Sequence, residues 1–105
     1  MPNCRVITHH YLKKGMDQAW LKFLESDLIK QAERSGAHHI EFAQNDKNPN
    51  LWVSTSVWNS LEGAVTFQAT LDASETNLAQ FYSAPPKQEV FMIRNTYAEK
   101  AKKAA

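Results

Sequence analysis

An eight-residue run, L-W-V-S-T-S-V-W from Leu51 to Trp58, alternates between two unlike sets of side chains. Successive strand residues point to opposite faces of a sheet. Leu51, Val53, Thr55 and Val57 therefore share one face, and Trp52, Ser54, Ser56 and Trp58 share the other. With the aliphatic set packed under helices, the second face displays two tryptophans flanking two serines. Each tryptophan can bury on the order of 150–250 Å², and two left bare exceed the apolar patch a monomer usually shows. A second copy of the sheet is the expected cover, because two-fold homodimers dominate soluble oligomers. Two such sheets face to face predict a pocket lined by Trp, Ser and Thr, the composition of a small-molecule site.

The flanking segments fix the class. Cys4 to Leu12 is rich in β-branched and aromatic residues and reads as a strand, broken by Lys13-Lys14-Gly15. Met16, Trp20, Phe23, Leu24 and Leu28 then recur at helical spacing. Asp17 opens that helix and Lys30 and Arg34 lie near its end, matching the helix dipole, while Gly36 stops it. His38 to Gln44 predicts a second strand, joined by the polar turn Asn45 to Asn50 to the strand at Leu51. Asn59 with Glu62 resembles a capping box for a second helix over 60–71. A short helix over 74–82, carrying Leu78, Phe81 and Tyr82, is expected to end at Pro85-Pro86, with a fourth strand from Glu89 to Tyr97. The order β-α-β-β-α-β predicts an α+β, ferredoxin-like domain: a four-stranded antiparallel sheet with both helices on one face. Residues 1–98 form that domain, and 99–105, with three lysines among alanines, read as a charged, disordered tail.

Charge narrows the partners. A formal net charge of +1 over 105 residues gives no basic stripe for nucleic acid. No apolar run approaches the roughly 20 residues of a membrane span, and no signal peptide is visible. The expected location is cytoplasmic. The single cysteine, Cys4, excludes an internal disulfide and a Cys-rich metal site.

All four histidines lie in two doublets, His9-His10 and His38-His39. Strand alternation sends one ring of each doublet to each face, so at most one per doublet could join a common site. In the predicted topology the first and second strands run parallel with the third between them. The doublets then sit near opposite ends of the sheet, and no intrachain metal site is expected.

Three segments, G-A-H-H-I-E-F (Gly36 to Phe42), D-K-N-P-N-L-W-V (Asp46 to Val53) and V-W-N-S-L-E-G-A (Val57 to Ala64), follow in an order and spacing that resemble the antibiotic-biosynthesis-monooxygenase-like family of dimeric α+β barrels. The likeness covers most of residues 4 to 97. It implies a ferredoxin-like fold dimerised through its sheet faces. Some members of that family oxidise quinol- or anthrone-type aromatics with molecular oxygen and no flavin or metal, some degrade haem, and many have no known activity. Carried over by position, Trp58 of the W-x-S motif would line the reaction pocket, with Asn59 and Ser60 following it into the helix. Two positions depart from the pattern: Ser56 stands where an acidic residue is frequent, and Phe67 where a histidine is frequent. No histidine follows His39, which argues against the haem-degrading branch.

The resemblance implies a cofactor-independent monooxygenase with a small electron-rich aromatic substrate. Trp58 would position the ring by stacking. His10 is the candidate base, aimed inward with Thr8 if the strand phase allows, and His9 is the alternative. Trp52, Ser54, Ser56, Asn59, Phe67 and Phe81 complete the expected substrate surroundings. No metal and no cofactor are expected. The competing reading, favoured by Ser56 and Phe67, is a non-catalytic dimeric barrel that binds a small aromatic or a partner protein.

Overall fold

The computed structural model describes residues 3–73 and 78–97. Two glycines at positive φ bound the first helical stretch. Gly15 (φ 78°) turns the chain out of β1 (Cys4–Leu12), and Gly36 (φ 107°) leads it into β2 (Ala37–Gln44). Between them α1 (Asp17–Phe23), a π-helical turn (Leu24–Leu28) and α2 (Ile29–Arg34) follow without a break. Asp17 occupies the first turn and Arg34 the last, as the dipole favours. The apolar stripe is the buried one: Trp20 is fully buried, and Leu24 and Leu28 nearly so.

The remaining elements are β3 (Leu51–Trp58), α3 (Leu61–Ala73) and β4 (Tyr82–Met92). The sheet order is β2-β3-β1-β4 with every neighbouring pair antiparallel, the expected ferredoxin-like architecture. The β2–β3 connection is tied by Asn45, whose Oδ1 accepts from the amides of Lys47 and Asn48, both at 2.9 Å. No helix among the described residues is long and apolar enough to cross a membrane.

Cross-strand partners share a face, and the register gives three rows: Met92–Cys4–Trp58–Ala37, Val90–Val6–Ser56–Ile40 and Gln88–Thr8–Ser54–Phe42. Their β1, β3 and β2 members lie under the helices, whereas the β4 ends, Met92, Val90 and Gln88, are exposed. Trp58 packs with Cys4, Val6, Ala32 and Ala64, and Trp52 with Trp20, Leu12 and Leu24.

This reverses the expected phase of β3. Trp52 and Trp58, at 8% and 2% exposure, are core residues and do not form an outer face for a second sheet. The period of two fixes which residues travel together, not which set is covered. The serines argued for the outside, but each has a buried partner: Ser54 bonds His10 and Ser56 bonds Trp58. A satisfied hydroxyl costs little on a covered face. The helix-free face instead carries Leu51, Val53, Thr55 and Val57 beside Ile7, His9 and Tyr11.

β4 also departs from expectation. It begins at Tyr82 and ends at Met92, so Pro85 and Pro86 lie within it, and Tyr82 is a strand residue, not the end of a helix. β4 is an edge, where prolines are tolerated because one row of amides has no strand to meet. Its register with β1 shifts between His9 and Leu12 to take them up. Residues 74–77 of the expected short helix and the charged tail (99–105) lie outside the described residues.

The cap of α3 is Ser60 rather than Asn59. Ser60 Oγ accepts from the Gly63 amide at 3.1 Å, whereas Asn59 Oδ1 meets His38 Nε2. Gly63 lies so close to the end of α2 that a Cβ there would stand 2.2 Å from the Ser35 carbonyl oxygen. Alanine is intrinsically better in a helix by roughly 0.5–1 kcal/mol, but overpacking against backbone costs roughly 1–3 kcal/mol. Gly63→Ala should therefore lower the unfolding free energy by about 1–2 kcal/mol in a urea titration. Unchanged or raised stability would show that α3 shifts away from Ser35 freely.

Candidate functional site

Strand phase turns Thr8 and His10 to the helix side and His9 to the other. His10 is buried, its ring 4.8 Å from the indole of Trp20. Both of its nitrogens have partners: Nδ1 lies 3.0 Å from the Tyr82 hydroxyl and Nε2 2.8 Å from Ser54 Oγ. Trp20 Nε1–H donates to the same Tyr82 oxygen at 3.1 Å. Burial, with a smaller contribution from His9, lowers the pKa of His10 to about 4. Burial raises that of Tyr82, partly opposed by the bond from Trp20. At neutral pH the cluster carries no charge.

His10, Tyr82 and Ser54 form the polar end of a cavity of about 120 Å³ between the sheet and the helices. Thr8 and exposed Gln88 border that end. The opposite wall is Trp58 from β3 with Ala64 and Phe67 from α3. Leu24, Leu28 and Ile29 close it from above, and Ile40 and Phe42 from β2. The π-helical turn thus supplies two of its aliphatic walls, and such turns recur at functional sites. Trp58 Nε1–H donates to Ser56 Oγ at 2.8 Å, and its ring stands 5.4 Å from that of Phe67, inclined by 35°. Among the described lining residues none is Asp, Glu, Lys or Arg.

Of the residues predicted from the sequence, Thr8, His10, Ser54, Ser56, Trp58 and Phe67 meet at this cavity. Trp52 does not line it: it is buried against Trp20, its indole N–H donating to the Pro49 carbonyl at 3.1 Å. Phe81 packs on Phe23 at 5.5 Å. Asn59 is exposed at the start of α3. The expected pocket between two sheets is thus a cavity under the helices of a single chain, because the serine and tryptophan face of β3 is the covered one.

The histidine doublets lie at opposite ends of the sheet, His10 opposite Trp52 and His39 opposite Val57. His39 pairs with Glu41 at 2.7 Å on the surface. No group of three or more His, Cys, Asp or Glu gathers among the described residues in a form that could hold a metal. Burial raises the pKa of Cys4, the opposite of what an activated thiol needs.

Tyr82 and Trp20 are the members that sequence reasoning missed. Trp20 read as a helix-core residue, which it also is. Tyr82 was placed in a helix, and nothing local signals its contact with His10, 72 positions away.

No family model matches the sequence, and no curated protein matches it. Solved structures do. A protein from Nitrosomonas europaea described as a candidate antibiotic biosynthesis monooxygenase superposes with a TM-score of 0.72, at 18% identity, over 91% of this chain and 92% of its own. SnoaB of Streptomyces nogalater, named a cofactor-independent oxygenase, gives 0.74 at 13% identity, over 94% and 100%. A protein from an uncultured marine organism, described as dimeric and ferredoxin-like, gives 0.75 at 12%, over 94% of both chains. The chain has the ferredoxin-like fold of antibiotic-biosynthesis-monooxygenase-like structures.

Proposed function

We propose that the protein is a cofactor-independent monooxygenase of a small, electron-rich, quinol-like aromatic. The observation that carries this reading is the cavity itself, with an aromatic wall of Trp58 and Phe67 facing a hydroxyl and imidazole end. The likeness in fold to SnoaB, named a cofactor-independent oxygenase, supports it. A space of about 120 Å³ compares with the roughly 150 Å³ that admits benzene in an engineered core. A single ring fits that scale and a tricyclic anthrone does not. The ring lies against Trp58, its oxygen at the Ser54 end. Ionised, such a ring can pass an electron to molecular oxygen, so the proposal includes no metal and no flavin.

His10 is a weak base in this setting. A phenol of ordinary pKa, about 10 as for tyrosine, lies far above a group with a pKa of about 4, so His10 orients and the ring ionises to solvent. Both His10 nitrogens are already bonded, which leaves none for a haem iron. The competing reading is a non-catalytic binder of small aromatics, and one observation favours it: no carboxylate reaches the cavity among the described residues.

The reading includes a cytoplasmic homodimer through the helix-free sheet face, where Ile7, Tyr11, Val53 and Val57 lie. The dimeric description of a structure with the same fold supports it.

Oxygen consumption with methylhydroquinone should exceed the enzyme-free rate, and Trp58→Phe should lower kcat/KM several-fold. Binding seen by tryptophan quenching without oxygen uptake would select the non-catalytic reading. Light scattering at micromolar concentration should give twice the chain mass, and Val53→Glu should give the monomer, since it buries an unpaired charge. A wild-type monomer would end the dimer proposal. The lowered pKa of His10 means that the folded chain binds fewer protons than the unfolded chain between pH 6.5 and about 4. Its contribution is present above 6.5 and is lost as pH falls through that window, by about 3 kcal/mol at the lower end. The stability gap between wild type and His10→Gln should shrink accordingly on acidification. A gap independent of pH would show that His10 is not held neutral.

A further inference from the structure

We propose that Trp20, Tyr82, His10 and Ser54 form a one-way hydrogen-bond chain ending in a donor, so that the cavity selects single-ring ligands presenting an oxygen acceptor: phenolates and quinones over neutral phenols. The inference rests on the reading of the cavity as a site for aromatics and adds the polarity of its recognition.

The direction follows from the one member that cannot accept. An indole N–H only donates, so the Tyr82 oxygen accepts from Trp20 at 3.1 Å. The phenolic hydrogen then needs an acceptor, and His10 Nδ1 is 3.0 Å away. The reverse arrangement, with Nδ1 protonated, would give the Tyr82 oxygen two donors. Its own hydrogen would then have no protein partner among the described residues. With Nδ1 accepting, a neutral imidazole carries its hydrogen on Nε2, which donates to Ser54 Oγ at 2.8 Å. The burial that keeps His10 uncharged supports this assignment.

Ser54 is the last link. Its oxygen accepts from His10, its own hydrogen is the one donor it has to offer, and it borders the cavity. Among the described residues the structure gives that hydrogen no second partner. It therefore points to whatever oxygen enters. Each donor in such a chain polarises the next, and a hydroxyl bonded to an anionic oxygen is among the stronger hydrogen bonds. A neutral phenol gains less, since its uncharged oxygen is the weaker acceptor for that hydrogen.

Two measurements test this. In the free protein, the 15N shifts of His10 should show Nε2 protonated and Nδ1 bare; an Nδ1–H tautomer would overturn the chain. For ligands, 4-nitrophenol and toluene serve as probes, the first because its visible absorbance reports its ionisation. Wild type should hold 4-nitrophenol as the yellow phenolate and lower its apparent pKa. Ser54→Ala should weaken phenolate binding about tenfold to a hundredfold, the loss typical of a hydrogen bond to a charged group. Tyr82→Phe should weaken it less, by releasing the tautomer. Both variants should bind toluene as wild type does, which also shows that they fold. If toluene binds but Ser54→Ala holds the phenolate equally well, or the bound species is the colourless phenol, the directed chain is wrong and the aromatic cavity stands. If neither probe binds, the aromatic reading falls with it.

Discussion

A hydroxyl on the covered face of a sheet must find a partner, and the inner face of β3 satisfies that demand twice. Ser56 takes the indole N–H of Trp58, and Ser54 takes His10. These bonds let a polar stripe lie where helices cover it, and one of them satisfies the buried indole N–H of Trp58. Had the serines lacked partners, burying them would have cost on the order of 1–3 kcal/mol each, and the aliphatic face of β3 would be the natural core. The cavity exists because the polar stripe is inside. Serines between two large rings leave space that valines or leucines would fill.

The same requirement explains what could be read from the sequence and what could not. Period-3.6 and period-2 patterns, with Gly15 and Gly36 at breaks, were enough for element order and topology. They are local signals, and the φ values of both glycines agree with them. The covered face of β3 was not local: it depended on His10, on another strand, answering Ser54. The edge position of β4 was equally hidden, and without it Pro85-Pro86 looks like a stop signal. Asn59 and Ser60 are both good caps, and only the contact of Asn59 with His38 separates them. For the cavity, Trp58, His10 and Ser54 were legible as residues with chemistry to offer, while Tyr82 was not, because its role is set by a contact far away in sequence.

The two histidine doublets show how position changes one side chain's chemistry. His39 sits half exposed at the surface beside Glu41. His10 faces the indole of Trp20 and a tyrosine hydroxyl, where a positive charge would lose its hydration. Identical residues thus become a surface pair at one end of the sheet and a fixed neutral link at the other.

The prolines of β4 have a consequence beyond its register. Sheet edges invite strands from other molecules, and an amide-free stretch discourages them. Pro85 and Pro86 carry no N–H, so the half of β4 nearer Tyr82 offers an incoming strand few donors. Only the stretch from Lys87 to Met92 retains a full set along this edge. On the β4 side, growth of the sheet into a longer array is therefore confined to a six-residue window remote from Tyr82, and on this strand that window, rather than the whole of β4, is where a guard against self-templating aggregation is needed.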